Sequence, residues 1–159
     1  MLTFTRVLSR AESSEPVYTI TLSHEQRRRA RLRVVLAPSG TGGLLLPRGT
    51  VLRDGDVLAS DDGAAYARVR AASEHVSVVE TSDPHLLTRA AYHLGNRHVP
   101  LQIEPGRLIY PNDHVLDGMC RELGLSVAER LMAFEPEAGG YAGGHGHAHP
   151  LAPATEDGR

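Results

Sequence analysis

Apolar residues in the first half of the chain fall in short runs. Residues 2–8 and 17–22 alternate or run apolar, and residues 29–36 set Arg29, Arg31 and Arg33 on one face against Ala30, Leu32 and Val34 on the other. A period of two predicts a half-buried strand. Turn-forming stretches follow: G-T-G-G at 40–43, D-G-D at 54–56 and D-D-G at 61–63, with β-type runs at 57–59 and 65–70. Closely spaced strands between such turns predict a small all-β domain over residues 1–72. Few contacts are expected to cross the boundary there.

Beyond residue 72 the period changes. Residues 76–81 read as a strand, and S-D-P at 82–84 announces a helix, with Ser82 or Asp83 as N-cap and Pro84 in its first turn. Leu86, Leu87, Ala90, Ala91 and Leu94 form one apolar face at helical spacing. Gly95 with Asn96 suits a left-handed helix stop. A strand over 99–104, a P-G-R turn and a return over 108–110 come next. Asn112 or Asp113 then caps a second helix with Val115, Leu116, Met119 and Leu123 facing inward, before a last strand over 125–134. The order βαββαβ predicts a ferredoxin-like domain over 73–137. The fold class is therefore α+β, a β domain followed by a ferredoxin-like one. Residues 138–159 are rich in Gly, Ala, His and Pro, a composition that predicts a disordered tail.

Composition acts mainly by exclusion. The 159 residues carry a net charge of −2, which argues against a nucleic-acid or membrane-surface protein. The run Q-R-R-R-A-R-L-R at 26–33 has no interleaved aromatics and reads as the solvated face of a strand. No apolar run reaches the ~20 residues of a membrane span, and the N-terminus lacks the apolar centre of a signal peptide. The single cysteine, Cys120, reads as a small core residue, and one lone thiol suits a reducing cytoplasm. The stretch D-G-D-V-L-A-S-D-D-G lacks the ligand spacing of a calcium loop. Zinc-protease, serine-hydrolase and phosphate-loop motifs do not occur, so the chain is read as a non-enzyme.

Nine histidines remain as the chemical signal. His145, His147 and His149 alternate in G-G-H-G-H-A-H-P, a spacing that lets two or three imidazoles close on one ion and that differs from the unbroken run of a purification tag. His98, in L-G-N-R-H-V-P, falls at an exposed helix-to-strand junction, and His114 opens the second helix; both are candidate ligands. His24, His75, His85 and His93 occupy turn or surface contexts. Imidazole suits Zn, Cu, Fe and Ni alike. An exposed, partly assembled, imidazole-only set suits pick-up and release better than catalysis. Transport of a transition metal is thus the leading reading, ahead of storage in the tail.

The stretches L-L-L-P-R-G-T-V-L-R-D-G-D-V-L (44–58), A-Y-H-L-G-N-R-H-V-P-L-Q-I (91–103), D-H-V-L-D-G-M (113–119) and F-E-P-E-A-G-G-Y (134–141) resemble the UreE family of urease accessory proteins. The resemblance implies a cytoplasmic nickel metallochaperone that passes Ni(II), with Zn(II) and Cu(II) as competitors, to the urease apoprotein complex through its GTPase partner. It implies a homodimer joined through the ferredoxin-like domain, and an N-terminal domain similar to a peptide-binding module. It assigns a nickel ligand at the dimer interface to His98, and supplementary ligands to His145, His147 and His149. Some family members carry H-D-H before the second helix. Here Asn112 replaces the first histidine, so His114 is an optional ligand. Metal storage by the tail and a peptide-binding folding helper are the alternative readings.

Overall fold

The computed structural model describes residues 2–9 and 15–139. Among the described residues, six strands build one sheet: β1 (Leu2–Val7), β2 (Tyr18–Leu22), β3 (Arg31–Val35), β4 (Thr41–Leu45), β5 (Val57–Ser60) and β6 (Tyr66–Ala71), in the order β2-β6-β5-β1-β4-β3. The outer strands approach each other through Thr19 and Ala37, whose backbones exchange hydrogen bonds of 3.0 and 2.9 Å, so the sheet curls towards closure. Phe4, Ile20, Val34, Leu44, Leu58 and Val69 fill the interior. The period-two reading of the arginine stretch holds for the strand itself: Arg31 and Arg33 are exposed while Val34 is buried.

Two local readings of this domain are corrected. The glycine run 40–43 lies largely within β4, which pairs with both β1 and β3. A Cβ at Gly42 would sit 3.0 Å from the Leu2 carbonyl oxygen and 3.3 Å from Leu36 Cδ1, so the glycine permits close strand packing, as glycines inside strands often do. Residues 24–27 form a helical turn, α1 (His24–Arg27), closed by a capping box. The Ser23 hydroxyl accepts from the Gln26 N–H (3.2 Å), and the Gln26 side chain accepts from the Ser23 N–H (2.9 Å). Arg27 is therefore not on a solvated strand face. It is fully buried.

The second sheet contains β7 (Ser73–Glu80), β8 (Gln102–Glu104), β9 (Arg107–Pro111) and β10 (Val127–Ala133), in the antiparallel order β10-β7-β9-β8. Helices α2 (Pro84–Asn96) and α3 (His114–Glu122) are inserted between strands to give the ferredoxin-like βαββαβ order. Asp83 caps α2 by accepting from His85 and Leu86, and Pro84 occupies the first turn. Asp113 caps α3 in the same way. Leu94, Ala90, Leu116 and Cys120 pack with Val79, Leu108 and Tyr110 of the sheet. Val115 is not inward; it is 53% exposed, and Cys120 takes the core position instead. Strand β8 is shorter than expected, because Pro100 has no N–H to offer a ladder.

The segment after β10 ties the two sheets together, contrary to the expectation of few contacts across residue 72. Phe134 is buried against Val76, Val78 and Ile109, and the His24 ring meets its edge at 5.6 Å. Arg27 donates to Glu135 Oε1 (2.6 Å), to the Leu52 carbonyl (3.3 Å) and to the Phe134 carbonyl. Glu135 Oε1 also accepts from the Asp54 N–H (2.8 Å), and Arg53 donates to the Pro136 carbonyl (2.8 Å). On the other side, Glu135 N–H donates to Gln102 Oε1 and Glu137 N–H to the Leu101 carbonyl, both at 2.8 Å. His24 N–H donates to Glu74 Oε2 (2.8 Å). Burial first, then the neighbouring Arg27 and Arg28 charges, lower the His24 pKa below its ordinary value.

Candidate metal centre

Helix α2 runs through Gly95 and Asn96, so the expected stop at those residues is displaced. Arg97 is the C-cap, and its N–H donates to the Leu94 carbonyl (3.1 Å). The left-handed residue that turns the chain out of the helix is His98, with φ 56° and its N–H donating to the Gly95 carbonyl at 3.0 Å. It is the one non-glycine residue with positive φ among the described residues. That conformation costs an L-residue about 1–2 kcal/mol, and such strain concentrates at functional sites. Pro100 holds the preceding residue extended, and the buried Leu101 anchors the chain beyond it. The exposed imidazole is thus carried on a loop fixed at both ends.

The helix termini distinguish the two folded candidates. His98 lies at the C-terminal end of α2, where the helix dipole favours a cation by about 0.3–1 kcal/mol. His114 occupies the first turn of α3, where the same dipole opposes one, although Asp113 beside it offsets part of that. Asn112 is exposed, but its Nδ2 donates to the buried Ser77 hydroxyl at 3.0 Å. That amide therefore serves the sheet. His114 is exposed.

The remaining described histidines are scattered. His85 and His75 are exposed on α2 and β7, His93 stacks edge-on with Tyr92 at 5.4 Å, and His24 belongs to the interdomain contact. Among the described residues no three His, Cys, Asp or Glu side chains are grouped to hold a metal. His145, His147 and His149 lie outside the described residues. Cys120 is buried, and burial pushes its thiol pKa up, as befits a core residue. Beside it the Tyr110 hydroxyl donates to Asp117 Oδ1 (2.9 Å), and burial with these neighbours holds the phenol pKa well above its ordinary range. No helix of the described residues is long and apolar enough to cross a membrane.

Nothing in the local sequence marks the interdomain role of Arg27, Glu135 and Phe134, whereas S-x-x-Q at 23–26 marks the helical turn that takes Arg27 out of the strand.

The architecture is that of a two-domain protein, a curled β domain beside a ferredoxin-like domain that carries an exposed histidine between helix and strand. The family model for the UreE urease accessory protein N-terminal domain matches residues 4–72, and that for the C-terminal domain matches residues 74–158. The chain belongs to the UreE family. It is 52% identical over 148 residues to a urease accessory protein UreE of Pseudomonas putida, covering 92% of this chain and 90% of the relative. It is 54% identical over 132 residues to that of Citrobacter koseri (82% and 87%) and 52% over 132 residues to one from Escherichia coli (82% and 86%).

Proposed function

We propose that the protein is a nickel carrier of urease maturation, acting in the cytoplasm as a homodimer. The observation that carries the reading is His98: an exposed imidazole held in a left-handed conformation at the negative end of α2. Among the described residues of one protomer, no group of three His, Cys, Asp or Glu side chains could hold a metal, at His98 or elsewhere. A two-fold dimer supplies its own second ligand, since one residue per chain gives two. Exposed Tyr92, Val115 and Leu131 on the ferredoxin-like domain offer apolar surface for such an association. His145, His147 and His149 then serve as supplementary ligands and His114 as an optional one. Ni(II) is cargo, passed by ligand exchange through the accessory GTPase to the urease apoprotein, with Zn(II) and Cu(II) as competitors. No bond of an organic substrate is broken.

Calorimetric nickel titrations of three proteins test this. Wild type binds a shared ion plus tail-borne ions. Deleting residues 143–159 lowers the number bound and leaves one site per dimer. His98→Ala removes the shared site and leaves weak binding. If the truncated protein bound no nickel while His98→Ala bound normally, the tail would be the whole site and storage would replace delivery.

A further inference from the structure

The arginine run that the metal-carrier reading leaves unused forms part of a built surface. On β3, Arg31, Arg33 and Val35 are exposed on one face, and their cross-strand neighbours on β4 are Leu45, Gly43 and Thr41. Neither Arg31 nor Arg33 takes part in an ion pair among the described residues, nor does Arg28, exposed at the C-cap of α1. Val35 is 75% exposed and Leu45 46%. Two uncompensated guanidiniums stand two residues apart on a strand, with an apolar residue at the next outward position. Gly43, without a side chain, lies across from Arg33.

We propose that this face of β3 and β4 docks an acidic, extended segment of a partner protein. The occupant follows from charge and repeat. Outward side chains on a strand recur about every 6.6 Å, and an extended chain laid along β3 repeats at the same interval. Carboxylates at alternate positions therefore meet Arg31 and Arg33, with an apolar side chain two positions further against Val35. Unpaired arginines fork onto carboxylates and select by charge complementarity. Nucleic acid fits less well, because the face carries apolar groups without aromatics on which bases stack. The inference goes beyond metal carriage and does not depend on His98.

The test uses full-length protein and a fluorescent peptide containing Glu-Ser-Glu-Ser-Leu, with a Gln-Ser-Gln-Ser-Leu peptide as control, followed by anisotropy at low salt. Wild type binds the glutamate peptide at least tenfold more tightly than the control. Arg31→Glu with Arg33→Glu removes that preference, and Val35→Ser weakens binding several-fold. Arg48→Glu, a single charge reversal elsewhere on the domain, and His98→Ala leave it unchanged. Circular dichroism melts confirm that each variant is folded, and Arg31→Gln with Arg33→Gln repeats the test with a milder change. Equal binding of the two peptides, no binding by wild type, or an equal loss in Arg48→Glu overturns the proposal. So does an oligothymidylate that outcompetes the glutamate peptide for the same arginines.

Discussion

Replacing Glu135 with alanine leaves Arg27 charged, fully buried and without its carboxylate. Removing one partner of a buried ion pair costs about 3–5 kcal/mol, but Glu135 is 32% exposed, so water reaches the vacated position and the cost falls to about 2–3 kcal/mol. The Asp54 N–H also loses its acceptor, adding roughly 0.5–1 kcal/mol. The Leu52 and Phe134 carbonyls remain as partners of the guanidinium. At ~2–4 °C per kcal/mol for a chain of this size, the melting midpoint drops by about 5–15 °C. Glu135→Gln keeps an acceptor oxygen and falls roughly halfway. The double variant Arg27→Met with Glu135→Leu removes both charges and regains most of the loss, as apolar replacement of buried pairs often does. Calorimetric melts of the four proteins at pH 7.5 measure each value. If Glu135→Ala melts within about 0.5 kcal/mol of wild type, a surface-like value, the contact between the sheets contributes no stability. If the double variant is no better than the single one, the cost is lost packing and not an unpaired charge.

Two further outcomes follow from local geometry. His98→Gly is more stable than His98→Ala by about 1 kcal/mol, because only glycine adopts φ 56° freely; equal melting points would show that the loop relaxes out of the left-handed region. For His24 the folded-state pKa is lowered by burial and then by Arg27 and Arg28, so the neutral ring belongs to the closed arrangement. Its contribution is complete above the ordinary pKa of about 6.5 and is lost as pH falls from there through the lowered folded value. His24→Phe flattens the stability profile between pH 7 and 5 in chemical denaturation, and an unchanged slope would refute the assignment.

Elements written in local chemistry were readable from the sequence. Asp83 with Pro84 and Asp113 announced both longer helices at the right residues, and alternation located β3 from its own side chains. What was missed depends on distant partners. The glycines of β4 look like a turn until the Leu2 carbonyl lies 3.0 Å from where a Cβ would be. Arg27 reads as one more solvated arginine because the residues that bury it, Leu52, Phe134 and Glu135, stand 25, 107 and 108 positions away. The exposed junction at His98 is legible in the sequence, but its left-handed φ is not, since propensity alone assigns that role to Gly95.

The hydrogen bond from Glu137 to the Leu101 carbonyl has a consequence for distance. It moors the chain three residues from His98, so residues 138 onward start out near that imidazole. His145 lies eight positions beyond Glu137 and His149 twelve. At no more than about 3.5 Å per residue, these spans are roughly 28 and 42 Å. Leu101, to which Glu137 is hydrogen-bonded, lies within about 11 Å of His98 by the same measure. The contour of the chain is thus long enough for the tail histidines proposed as ligands to reach an ion at His98 of the same protomer. On the carrier reading proposed above, imidazoles linked over such spans act at an effective concentration near the millimolar range, whatever the concentration of protein. Lengthening the stretch between residues 138 and 143 dilutes that advantage without touching a proposed ligand.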